Sequence, residues 1–157
     1  MGTELNIIKS EARLNINLWF LSLCFTLFTF IVAINPGLLK GNPFVSIQLT
    51  LAIPLFITSV FARSRLAYTQ RMRLWEEYGF ITFTIAYGFF LNVVGILLAN
   101  LAGKNVGIIF FVCNILCTFL YSTVEVIEDR KKMSSRIYKD LFLILMFLCL
   151  GLFPILS

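Results

Sequence analysis

Histidine is absent from this sequence, so its chemistry rests on four cysteines, eight carboxylates, thirteen basic side chains and a scatter of hydroxyls and amides. Without histidine no side chain of ordinary pKa near neutrality is present to carry a proton, and the commonest metal ligand is missing. Cys113 and Cys117 stand four apart and share a helix face, yet two thiols with no histidine or acidic neighbour fall short of a metal site. Together with Cys24 and Cys149 they read as small, reduced, apolar fillers, and no structural disulfide is expected. Glu125, Glu128 and Asp129 have the helical spacing that a divalent cation would need. Arg130, Lys131 and Lys132 follow at once and screen them, so this stretch reads as the solvated end of a helix with bases near its carbonyl end. No Walker loop, dinucleotide glycine fingerprint, HExxH or Gly-x-Ser-x-Gly elbow occurs. The expectation is a protein that is not an enzyme and carries no cofactor and no metal.

Uncharged polar residues form the second set. Thr84, Gly88, Asn92, Gly95, Ala99 and Gly103 recur at spacings of 4, 4, 3, 4 and 4, which aligns small and polar groups in one helical stripe. Asn114, Thr118, Ser122 and Glu125 form another; Asn15, Ser22, Thr26 and Thr29, and then Ser46, Thr50 and Thr58, give two more. Stripes of this kind either let helices pack and hydrogen-bond or line a water-filled path. The pore or helix-interface residues predicted are Thr84, Gly88, Asn92, Gly95, Asn114, Thr118 and Ser122, with Asn92 and Asn114 foremost because both fall near the middle of an apolar run. Pro54 removes the N–H that would bond the Thr50 carbonyl, which predicts a kink. Pro36, in Asn35-Pro36-Gly37, is expected to fray the end of the first helix.

The elements that must position these groups follow from composition. Hydrophobic residues make up 59% of the 157 residues and charged ones 13%, with a mean hydropathy of +0.91. A soluble chain carries about a quarter charged residues, so the solvent implied is a bilayer. Five charge-free runs stand out: Asn15 to Leu39, Gly41 to Ala62, Tyr78 to Gly103, Asn105 to Val124 and Leu141 to Ser157. A spanning helix needs about 20 apolar residues, because every backbone polar group must be satisfied within the segment. The last run, at 17 residues, is the shortest; about 25 Å of helix faces a core of about 30 Å. It still reads as spanning, since thirteen of its residues are Leu, Ile, Met or Phe.

The predicted fold is therefore all-α, a polytopic transmembrane helix bundle forming one membrane domain over 1–157. Its five spans, about 16–38, 43–62, 78–102, 105–124 and 141–156, make two helical hairpins and a final single helix. The segments 1–14, 63–77 and 125–140 then share one side. That side holds eleven of the thirteen basic residues and all eight acidic ones, which leaves it at +3, and only Lys40 and Lys104 lie opposite. Basic residues accumulate in short cytoplasmic loops, so the amino terminus is predicted inside and the carboxyl terminus outside, in a plasma (inner) membrane. A cleavable signal peptide fits poorly, because the first run is too long and no small-x-small site follows it.

The loop from Arg63 to Glu77 contains no Gly or Pro and is expected to prolong the second or third helix beyond the membrane; Ser134 or Ser135 is expected to cap the last one. Arg63, Arg65, Arg71, Arg73, Arg130, Lys131 and Lys132 are candidate contacts for anionic headgroups of the lipid bilayer or for a cytoplasmic protein partner. Nucleic acid is not an expected partner, since no folded basic surface with stacking aromatics is available. Intramembrane charges, which proton-driven carriers and voltage sensors require, are absent from the runs. Two functions fit: a homo-oligomer that forms or gates a pore for ions or small solutes, and a membrane anchor or sensor subunit that recruits a cytoplasmic partner through its basic loops. A lipid-modifying enzyme using headgroup-level charges is a third and weaker fit.

Overall fold

The computed structural model describes residues 2–66, 72–128 and 133–156. Helix α1 spans Gly2–Ile34, the short α2 Gly37–Gly41, α3 Pro43–Arg65, α4 Met72–Ala102, α5 Lys104–Glu128 and α6 Met133–Met146; a π-helical segment, Phe147–Leu152, leads into α7, Phe153–Leu156. No strand occurs among the described residues, and the chain is an all-α bundle. Five helices are long and apolar enough to cross a membrane: Glu11–Ile34, Pro43–Arg65, Leu74–Ala102, Lys104–Ile127 and Ile137–Leu156. This is an integral, multi-pass membrane protein. Large apolar side chains accordingly face outward, among them Trp19, Phe61, Phe119 and Ile127; in a bilayer that exposure carries no hydrophobic penalty.

The breaks between helices have local causes. Residues before a proline are pushed away from the α region, and Pro36 has no N–H to offer, so α1 stops at Ile34, four residues short of the predicted end of its span. Asn35 then closes a small turn by accepting the Gly37 N–H on Oδ1 at 3.1 Å. Asn42 caps α3, its Oδ1 accepting the Val45 N–H at 3.3 Å, with Pro43 in the first helical position. Between α4 and α5, Gly103 adopts φ +105°, a conformation that a side chain would strain.

Two of the expected boundaries shift. Helix α6 begins at Met133, so Ser134 and Ser135 lie inside its first turn rather than before it. Because that helix runs continuously into the apolar stretch, the last candidate span has 20 residues instead of 17. The charged loop does extend both neighbours, α3 to Arg65 and α4 from Met72. Near the carboxyl end Pro154 has no N–H for the Leu150 carbonyl, and the helix widens just before it: the Phe153 N–H bonds Leu148 O, five residues back.

The chain divides into two compact units, residues 1–90 and 91–157. In the first, Cys24 and Ile31 of α1 and Val45, Leu49, Ala52 and Phe56 of α3 are buried. In the second, Phe111, Leu143 and Phe147 form the core, with Leu91, Phe110, Ile115, Leu152 and Ile155 packed around it. Helix α4 contributes to both units and is the most covered of the five spans, 56% of its apolar window being buried against 17–33% for the others.

Candidate functional site: polar groups buried between helices

In the first unit one hydrogen-bonded chain ties three helices together. Asn17 of α1 donates from Nδ2 to Ser59 Oγ of α3 at 2.7 Å, and that hydroxyl donates to the Gly79 carbonyl of α4 at 2.8 Å. Asn17 is 3% exposed and Ser59 fully buried. The Gly79 carbonyl also accepts from Thr82 Oγ1 at 3.3 Å. The absence of a side chain at Gly79 is what lets α3 and α4 approach, since a Cβ there would stand 3.1 Å from the Ala62 Cβ. An aromatic cluster continues the same contact. Phe20 stacks on Phe56 and meets Phe83, Tyr87 and Phe90 edge-on, with centroids 5.2–6.0 Å apart, each such pair adding about 0.5–1.5 kcal/mol to the burial term.

Charge collects at one end of these helices. Arg13 Nη1 donates to Glu76 Oε1, both side chains being half exposed, and such a pair contributes at most about 1 kcal/mol. Arg63 differs in kind. It is 5% exposed, and its Nε and Nη1 have no hydrogen-bond partner among the described residues. Arg65 is exposed. Arg71, Arg130, Lys131 and Lys132 lie outside the described residues, as does the side chain of Arg73.

The predicted stripe on α4 divides between different environments. Thr84 is buried and donates to its own helix at Phe80 O, 2.9 Å away, and Gly88 is buried. In the second unit Asn92 is fully buried and donates from Nδ2 to Met146 O at 3.3 Å, at the start of the π-helical segment. Gly151, on that segment, nestles so closely that an added Cβ would run into the Phe111 ring and Asn92 Oδ1. A Cβ on Gly95 would likewise strike the Phe111 ring, and one on Gly107 would come within 2.6 Å of the Ala99 Cβ. This part of the stripe is thus occupied by helix packing within the chain. On α5, Asn114 and Thr118 are half-buried and bond their own helix, Asn114 Nδ2 to Phe110 O and Thr118 Oγ1 to Asn114 O, each at 2.8 Å; Ser122 is buried.

The polar residues read from α1 and α3 mostly face outward. Asn15, Ser22, Thr26, Thr29 and Thr50 are exposed, and Thr26 Oγ1 returns its hydrogen to Ser22 O at 2.9 Å. The buried uncharged polar residues of those helices are instead Asn17, Gln48 and Ser59, which polarity alone does not single out. One signal did exist for the aromatic cluster: Phe83, Tyr87 and Phe90 follow the 4, 3 spacing of a single helix face. Pro54 is exposed within α3, whose helical assignment continues through it, and Thr58 Oγ1 donates to the Pro54 carbonyl at 2.6 Å. Of the cysteines only Cys24 fills a core. Cys113, Cys117 and Cys149, also read as small apolar fillers, are exposed, because the faces of α5 and the last span that carry them lie outside the packed side.

A cleft of about 270 Å³ is lined by Phe28, Leu39, Ser46, Leu49, Thr50 and Ile53. Its walls are largely apolar, with the two hydroxyls as polar exceptions; the Ser46 hydroxyl is already donated to Leu39 O. Among the described residues no group of three or more Cys, Asp or Glu side chains is arranged to hold a metal ion. No family model, curated protein or solved structure matches this chain.

Proposed function

We propose that this chain is a non-enzymatic membrane anchor or sensor subunit, seated in the plasma (inner) membrane with its amino terminus in the cytoplasm and its carboxyl terminus outside, and that it holds a cytoplasmic protein partner through its charged helix ends. The observation that carries this reading is the contrast between the two kinds of polar group. In mid-span Asn17, Ser59 and Asn92 donate between helices and Thr84, Asn114 and Thr118 donate to their own backbone, and Asn92 Oδ1, without a partner among the described residues, is buried away from any water path. A conducting path needs polar groups left over to face water. At the charged end Arg13, Glu76 and Arg65 stay accessible around a buried Arg63, and charge at an accessible edge steers and selects a charged partner. Purification from native membranes tests this: a stoichiometric soluble protein should co-purify and be lost when Arg71 and Arg73 are reversed to Glu. A chain that purifies alone from gently solubilised membranes contradicts it.

The homo-oligomeric pore keeps one supporting observation. Helix α5 is among the least covered spans, with 17% of its window buried, and it carries the half-buried Asn114 and Thr118. Several copies meeting along α5 would bring those groups to a common axis. On that reading Asn114→Leu lowers the conductance of reconstituted protein at unchanged expression, whereas protein that never conducts removes the reading.

A further inference from the structure

Arg63 is a buried cation short of acceptors. Its guanidinium offers five N–H donors and stays ionised at any physiological pH. Yet the residue is 5% exposed, and Nε and Nη1 are without a hydrogen-bond partner among the described residues. A buried charge left uncompensated is strongly unfavourable, so an anion is called for. The nearby carboxylate does not supply it: Glu76 lies within electrostatic reach of Arg63, but its carboxylate is held by Arg13. Arg13 adds a second positive charge to the same neighbourhood. Of the described charges that act on Arg63, the one carboxylate is shared with Arg13, so positive charge outnumbers negative there. Gly79 lies beside the guanidinium, since a Cβ there would come into ordinary van der Waals contact with Arg63 Nε, at 3.4 Å. The depth is also informative. Arg63 is two residues from the end of the candidate span Pro43–Arg65, the level of the lipid headgroups for a helix that crosses the bilayer.

We infer that Arg63, with Arg13 beside it, seats a phosphate group, and that this anion completes the charged end of α1, α3 and α4. The planar guanidinium fork matches phosphate oxygens in geometry as well as charge. Phosphate of this kind comes from an anionic phospholipid headgroup or from the free ion; both share the chemistry, and the test separates them. The inference rests on the proposed function only in taking this end of the helices as the partner-holding surface, which the bound group would order.

The experiment uses the full-length protein in detergent, with phosphatidylglycerol or phosphatidylcholine added. Native mass spectrometry counts bound lipid and thermal unfolding reports its effect. One phosphatidylglycerol should be retained per chain and should raise the unfolding temperature, while phosphatidylcholine does neither. Losing a charge-assisted hydrogen bond at the fork should make Arg63→Lys bind about tenfold more weakly, with Lys40→Gln, an exposed base on the opposite side, unchanged. Displacement by excess inorganic phosphate assigns the seat to the free ion; its failure to displace assigns it to the lipid. Equal retention of the two lipids by the wild type overturns the proposal without recourse to any variant, as does equal weakening by Arg63→Lys and Lys40→Gln. A partner that never co-purifies while phosphatidylglycerol still binds ends the recruitment reading and leaves the seat intact. Lipid indifference with the partner still held does the reverse.

Discussion

Asn17, Ser59 and the Gly79 carbonyl show how a single residue is used inside an apolar bundle. Each donor has one acceptor on the next helix, at 2.7 and 2.8 Å, and no water is at hand in hydrocarbon to replace a lost partner. Interhelical side-chain bonds in membranes contribute about 0.6 kcal/mol on average and at most about 1.7. Asn17→Ala and Ser59→Ala should therefore each lower unfolding stability in detergent by about 1 kcal/mol, measured by denaturant titration. Thr26→Val, which removes only a bond to its own helix, should stay within about 0.5 kcal/mol of wild type. Equal losses at Thr26 and Ser59 would contradict the relay. This is also where sequence was least informative. A Ser or Thr on a helix can return its hydrogen to the carbonyl one turn back, so it needs no neighbour and its polarity does not say which way it faces. Asn15 and Asn17 are the same residue type two positions apart, yet one is exposed and the other buried. Buried Arg63 was named only as one of several basic residues at the membrane edge, and its burial depends on α1 and α4 arriving beside it.

At the level of elements, small residues decide how closely helices meet. Gly95 accommodates the Phe111 ring, Gly107 abuts Ala99, and Gly151 fits against both Phe111 and Asn92. Gly151→Ala forces a methyl into that contact and should cost about 1–3 kcal/mol. At Gly41, with nothing within 4 Å of an added Cβ, the same change should cost no such amount; thermal unfolding of the two variants compares them directly. A tolerated Gly151→Ala would mean that the π-helical segment repacks freely. That Gly95 and Ala99 share one face of α4 was legible from spacing alone, because close helix approach demands small residues at intervals of three or four. The partners of that face were not, since spacing on one helix carries no record of which neighbour fills the groove. The π-helical turn at Phe147–Leu152 was likewise invisible: Pro154 announces a disturbance, while Asn92, which meets the Met146 carbonyl at its start, comes from another helix.

For the whole molecule, five apolar helices were legible because chain length in hydrocarbon is a hard constraint and charge-free runs expose it directly. The ends moved by a few residues wherever a proline or a charged helical extension intervened, as at Ile34 and Met133. The partition of charge adds what helix geometry does not, a direction: eleven of thirteen basic residues fall on the side assigned to the cytoplasm. Both the proposed partner surface and the phosphate seat depend on that assignment. It is tested most directly by single-cysteine labelling in sealed, right-side-out vesicles with a membrane-impermeant thiol reagent, after the four native cysteines have been replaced by Ala. Ser157→Cys and Lys104→Cys should label from outside, and Ser10→Cys and Glu77→Cys only after the vesicles are opened. Labelling of Ser10→Cys and Ser157→Cys from the same side of an intact membrane would contradict the account.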